Sequence, residues 1–325
     1  MKRRKQHRKL NKVRGKTIMK LRSKQMSELK KEERTCYLMI MLPLIGFFVF
    51  SIYPIFWTFR WAFYSYNGIP SETLFIGLDN FKKMFTTDLD YWKAWGNTLY
   101  YAVLKVPFEM CLSLFIAVLL QQNIKLKGLF RATYYLPCVI SIAIVGLMFT
   151  NMFSINGFIN SILLKLNIID KNLDWFGNRH TATFMLAAGG IWSGFGINVL
   201  YFLSALSNIS PELYEAADVD GAKAWTKFIK ITLPLIAPVA VTIVLLALIA
   251  ALGSNEYVIS FTNGAPGGQT RTVMSYLTTK FVPGFTTNSE PPIGYGCSLS
   301  LVTTMLFASL SIVYNKVNNK VNSIF

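Results

Sequence analysis

Residues 235–254, LIAPVAVTIVLLALIAALGS, carry no charge and have the length, about 20 residues, at which a helix crosses the hydrocarbon core of a bilayer. Similar apolar runs lie near 36–59, 98–121, 132–153, 183–206 and 295–314, so the chain reads as an all-α membrane protein of six transmembrane helices. Composition agrees. Of 325 residues, 53% are hydrophobic and only 15% charged, with mean hydropathy +0.39, where a soluble domain carries about a quarter charged residues. A soluble domain, a disordered chain and a disulfide-knit secreted domain are thereby excluded.

The net charge of +17 is concentrated at one end. Residues 1–34 hold 15 Lys or Arg against Glu28, Glu32 and Glu33, which makes +12 of the total. Without interleaved aromatic residues to stack on bases, this segment reads as a basic N-terminal tail lying on anionic membrane lipid, with no nucleic acid as partner. The apolar run after it exceeds the roughly 7–15 residues of a cleavable signal, so it reads as a retained first helix. Residues 1–34 are thus a cytoplasmic tail and 35–325 the membrane domain.

With the tail inside, the cytoplasmic segments also contain Lys125, Lys127 and Arg131, then Lys223, Lys227 and Lys230, then Lys316 and Lys320. The outer segments hold Lys82, Lys83, Lys93, Lys165, Lys171, Arg179, Arg271 and Lys280. Because the inner segments are shorter, their basic density is higher, and both termini are expected in the cytoplasm of a multi-pass protein. Tyr53, Trp57, Trp61, Tyr64 and Tyr66, then Tyr91, Trp92 and Trp95, are expected to form interfacial aromatic belts. Segments 67–97, 154–182 and 255–294 read as long outer loops, of a size that commonly contacts something.

Chemistry of the chain's own is not expected. Cys36, Cys111, Cys138 and Cys297 lie in or beside apolar segments without CxxC spacing, and His7 and His180 are the only histidines. A His-rich metal centre or a Ser/His/Asp arrangement has almost no material to work with. No phosphate-binding loop is present either, so ATP and its magnesium are expected to be handled by another chain.

Between the fourth and fifth spans runs the segment Ser210-Pro211-Glu212-Leu213-Tyr214-Glu215-Ala216-Ala217-Asp218-Val219-Asp220-Gly221-Ala222. Ser210 at the N-cap and Pro211 in the first turn start a helix, with Glu212 and Glu215 near its positive end. Gly221 permits a turn, and Trp225, Phe228 and Ile229 continue at helical spacing before Pro234 opens the next span. Two short helices across the cytoplasmic end of the bundle are expected.

Glu215-Ala216-Ala217, then Gly221, Ile231 and Leu233-Pro234, resemble the EAA signature of permease subunits in binding-protein-dependent ABC importers. The resemblance extends from about residue 36 to 315 and is similar to sugar permeases of the maltose and glycerol-phosphate type. It is supported by Gly77-Leu78-Asp79-Asn80-Phe81, Asn97-Thr98, Tyr134-Tyr135-Leu136-Pro137, Gly157 with Asn160, and Thr262-Asn263-Gly264-Ala265-Pro266. The last resembles a TxGGP segment, with Ala265 where glycine is usual. The resemblance implies a bacterial inner-membrane permease moving a carbohydrate inward by alternating access. It implies as partners a second homologous permease, two ATPase subunits or domains and an extracytoplasmic solute-binding protein. Loop 210–234, with Glu215, Ala216, Ala217, Asp220, Gly221, Ala222, Leu233 and Pro234, would dock on the ATPase.

Within the spans, Lys105 and Glu109 are one helical turn apart, with Lys105 about 12 Å inside the outer end. Either they neutralise each other, Lys105 snorkelling outward, or they line a solute path. In the second case a stand-alone, ion-coupled secondary transporter is the rival reading. Asn198, Asn255 and Glu256 are further candidates for a sugar path. Trp192 either stacks on a sugar or packs in the core, and Gly190 with Gly194 permits close helix packing.

Overall fold

A computed structural model describes residues 31–122, 125, 127–282 and 291–322. Most of the basic tail, Pro283 and the last three residues lie outside the described residues. The chain divides into two units, Met1–Arg60 and Trp61–Phe325. Helix α1 is described over Lys31–Trp61, so Lys31 to Arg34 are helical and continuous with the uncharged stretch that follows.

The second unit begins with an antiparallel pair, β1 (Tyr64–Ser65) and β2 (Leu74–Phe75), Tyr64 opposite Phe75. Helices follow: α2 (Asp79–Thr86), α3 (Leu89–Gln121), α4 (Lys127–Val139), α5 (Ile142–Met152), α6 (Phe158–Lys165), α7 (Arg179–Ser207) and α8 (Pro211–Val219). Then come α9 (Ala224–Leu252), α10 (Glu256–Phe261), α11 (Val273–Phe281) and α12 (Ile293–Asn322). Five helices, α1, α3, α7, α9 and α12, are long and apolar enough to cross a membrane, and the pair α4–α5 makes a sixth crossing if its two halves count as one.

That pair corrects the straight span expected over 132–153. Its halves are bent by 93°. Pro137 cannot donate to the preceding turn, α4 ends at Val139, and Ser141 is extended before α5 restarts. The bend brings α5 onto α10, where a Cβ on Gly146 would lie 2.5 Å from Ser260 Cβ.

A second correction concerns Pro234, which lies inside a helix and does not open one. Helix α9 starts at Ala224 and passes through a π-helical turn, Phe228–Thr232, where the Leu233 N–H reaches back to the Phe228 carbonyl. In α1 the turn Phe48–Ile52 precedes Pro54 in the same way. Widening the turn moves the carbonyl that a proline ring would strike four residues back, so both helices continue through their prolines. The second short helix expected in the 210–234 loop is therefore the first turn of α9.

Two apolar cores hold the second unit. In one, Val106, Met110 and Ala117 of α3 meet Leu186, Val199 and Phe202 of α7, Ile236, Ile243 and Ala247 of α9 and Phe261 of α10. The other gathers Met84, Tyr91, Ala94 and Trp95 around Val273, Leu277 and Leu299. Tyr91 and Trp95 are thus core residues and not the interfacial belt expected of them. The segments expected as loops after the first and fifth spans fold into α2, α10 and α11, and α2 and α11 cover those two rings.

Asp88 ties this core together. Its carboxylate accepts from the Tyr91 backbone N–H at 3.1 Å, from the Tyr276 hydroxyl at 2.8 Å and from the Tyr295 hydroxyl, joining α3, α11 and α12. Burial and then the Asp88 carboxylate push the Tyr276 phenol well above its ordinary pKa. Lys280, 4.5 Å above the Tyr276 ring, is lowered chiefly by burial. Asp88→Ala leaves two phenols without their acceptor and is expected to cost about 2 kcal/mol or more, read as a lower unfolding midpoint in detergent, with Asp88→Asn recovering part. An unchanged midpoint in Asp88→Ala would contradict this assignment.

Candidate functional site

Helices α3 and α7 run parallel: Tyr100 meets His180 at one end (3.1 Å between Oη and Nδ1) and Gln121 donates to the Leu206 carbonyl at the other (3.3 Å). Between these points α3 presents Tyr101, Lys105, Glu109 and Ser113, every fourth residue and hence one face. Opposite, α7 presents Gly190, Gly194 and Asn198 at the same spacing.

The two stripes interlock. Lys105 Nζ lies 2.7 Å from Glu109 Oε2, both side chains buried. Asn198 Nδ2 donates to Glu109 Oε1 at 3.0 Å, and the Ser113 hydroxyl donates to the Glu109 carbonyl at 2.6 Å and the Phe195 carbonyl at 3.1 Å. A Cβ on Gly194 would stand 2.6 Å from Glu109 Oε1, and one on Gly190 would stand 2.5 Å from the Tyr101 hydroxyl and 3.1 Å from Lys105 Cε. The glycine pair thus makes room for the charged pair. Lys105 is held inward against Glu109, both side chains buried, and does not snorkel outward.

The remaining path candidates do not join this seam. Trp192 packs on the first core, its ring 5.9 Å from Phe149. Glu256 is exposed at the start of α10, and Asn255 precedes it with a buried Oδ1 that has no hydrogen-bond partner among the described residues. Beside Trp192, Ser193 and Tyr257 share a 2.7 Å hydrogen bond that fastens α10 to α7. Tyr101, Ser113, Ser193 and Tyr257 were missed in the sequence; the four-residue recurrence from Tyr101 to Ser113 was the available signal.

At the α7 C-terminal end, α8 stands out from the bundle with no buried residue. Glu215, Ala216, Asp220 and Gly221 are exposed, Ala217 and Ala222 half-buried. Leu233 is exposed and Pro234 half-buried within α9. Ser210 occupies the N-cap position without a side-chain capping bond, and Pro211 supplies the first turn. Gly221, at φ +71°, closes the turn, its N–H on the Asp218 carbonyl at 3.0 Å. Two tethers that the sequence did not reveal hold α8 to α9: the Tyr214 hydroxyl with Thr232 Oγ1 at 2.8 Å, and an ion pair between Asp218 and Lys227. A 400 Å³ cleft between Gln121, Gln122, Tyr214, Phe228 and Thr232 separates α8 from the end of α3.

Among the described residues, no three His, Cys, Asp or Glu side chains come together as a metal centre requires.

Several apolar spans around one polar seam, with an exposed helix tethered at one end, define an integral membrane transport component. The same fold occurs in a bacterial ABC transporter involved in the import of the acidic polysaccharide alginate, with TM-score 0.77 at 22% identity over 89% of this chain and 96% of that one. The chain is 31% identical to the arabinooligosaccharides transport system permease AraP of Bacillus subtilis, over 85% of each chain. It is 31% identical to the lactose transport system permease LacF of Rhizobium radiobacter, over 81% of this chain and 87% of LacF. The trehalose/maltose permease MalF of Thermococcus litoralis is also 31% identical, over 90% and 96%. Residues 90–322 match the family of binding-protein-dependent transport system inner membrane components, and the chain belongs to that family. A stand-alone, ion-coupled carrier is accordingly set aside.

Breaking the pair at one end leaves a buried charge. Glu109→Leu is expected to cost about 3–5 kcal/mol, whereas Lys105→Met combined with Glu109→Leu costs far less. A double-mutant cycle on detergent unfolding measures the coupling, and additive losses would show the seam to be no unit.

Proposed function

We propose that this chain is the membrane-spanning subunit of an ATP-driven ABC importer and carries an oligosaccharide inward by alternating access. The observation that carries the reading is α8, an exposed helix fastened by Tyr214–Thr232 and Asp218–Lys227 to the start of a membrane-spanning helix. The named solutes of AraP, LacF and MalF support a carbohydrate cargo.

In this mechanism α8 docks on a cytoplasmic ATPase, one of two, which holds ATP and magnesium. Glu215 offers an anionic handle, and Ala216 and Ala217 allow close backbone approach. Closure of the ATPase pair displaces α8, and the two tethers pass the displacement to α9, which packs on α3 and α7 through the first core. The seam of Lys105, Glu109 and Asn198 holds α3 and α7 as one body while α9 moves.

A second homologous permease completes the path, and a solute-binding protein outside the cell delivers the cargo. The presence of a substrate-bound periplasmic protein in a structure of the alginate transporter supports that partner. Both termini are cytoplasmic in the cell membrane, and the basic tail lies on anionic lipid.

Glu215→Lys reverses the handle, and Gly221→Val forces a β-branched residue into φ +71°, where open space removes steric crowding as an explanation. Either substitution is expected to abolish uptake while the chain stays in the membrane at its normal level. Normal uptake in both variants would refute the coupling role.

A further inference from the structure

At the end of the bundle away from α8, a cleft of 550 Å³ opens between the start of α3, the start of α7 and the segment that precedes α11. Its lining includes Asp90, Lys93, Asn97, Arg179, Gln269 and Arg271. Lys93 is matched by Asp90 at 3.0 Å. Among the described residues, neither Arg179 nor Arg271 pairs with a carboxylate, so the cleft holds two uncompensated guanidinium groups.

Both arginines are positioned in advance. Arg271 donates its backbone N–H to the Gly268 carbonyl at 3.1 Å and receives Asn97 Nδ2 on its own carbonyl at 3.0 Å. Its side chain lies along Gly264, where a Cβ would come within 2.8 Å of Arg271 Cγ. The guanidinium of Arg179 stands 5.6 Å over the Tyr100 ring, and its buried Nε has no hydrogen-bond partner among the described residues. Planar, fixed guanidinium groups bind carboxylates through paired N–H donors. The volume falls in the roughly 300–1,000 Å³ range of small-molecule sites, and exposed Gln269 supplies an amide suited to sugar hydroxyls.

We propose that this cleft is a binding site for a carboxylate-bearing oligosaccharide, one with uronic acid residues. The site would take its ligand at the outer face, before the solute enters the spans, and in that respect the inference rests on the transport reading and orientation given above.

The test uses the importer purified from its native membrane with the subunits that accompany it, reconstituted in nanodiscs and titrated calorimetrically with trigalacturonate and with the uncharged galactotriose. The acidic sugar is expected to bind about tenfold or more tighter, the scale of a charge-assisted hydrogen-bond pair, and the preference should shrink as salt is raised. Arg271→Gln and Arg179→Gln should each remove most of the preference, and Arg271→Lys should keep part of it. Equal affinity for both sugars in the unaltered protein would overturn the proposal. So would equal losses for both sugars in the Gln variants, which would assign the arginines to folding or to docking of another protein. The titration needs no ATP hydrolysis, so a failure of coupling would defeat the importer reading and leave this result standing, while absent acid preference in an importer that still couples would defeat only the cleft.

Discussion

An ion pair buried in a polar seam between apolar spans sets how two of the long helices, α3 and α7, approach. Lys105 and Glu109 are both withdrawn from solvent, and the pair is tolerable because the opposite charges meet at 2.7 Å, Asn198 donates to the second Glu109 oxygen, and Gly190 and Gly194 leave space. Side chains at either glycine would force α3 and α7 apart and break the contact with Asn198. With that spacing established, Val106 and Met110 meet Val199 and Phe202, and α9 has a continuous surface on which to pack. The same seam runs from Tyr100–His180 to Gln121–Leu206 and joins α3 to α7 near both ends.

The spans were legible because a bilayer-length apolar run has few other solutions. What lay between them was less so. The covering helices α2, α10 and α11 are short, and six to nine residues give too little periodicity to separate a helix from a loop. The bend at Ser141 and the π turns before Pro54 and Pro234 depend on how a proline is accommodated, and composition does not contain that. Tyr91 and Trp95 fit an interfacial belt by type and position; the packing of α2, α11 and α12 against them makes them core.

For the site, single residues were visible and their connections were not. Lys105–Glu109, Gly190–Gly194 and Asn198 each drew attention separately, while their union depends on the register of two helices some 90 positions apart. The scattered family residues show the same limit. Asn80 donates to the carbonyls of Ala62 and Tyr64, Asn97 to that of Arg271, and Asn160 to those of Ile155 and Leu173. Each of these amides satisfies backbone carbonyls of a neighbouring segment, a task that composition and periodicity do not show. Loop 210–234 was the reverse case: its identities suggested a role at once, whereas the tethers at Tyr214 and Asp218 emerged only with the fold.

On the proposed function, this bundle works as one subunit of a larger machine driven through α8. The most direct measurement is gentle detergent purification of the chain from its native membrane, followed by mass spectrometry of everything that remains bound. Recovery of a second permease together with an ATPase is the expected result. A chain that emerges intact and alone, yet moves solute in liposomes under an ion gradient, would contradict it.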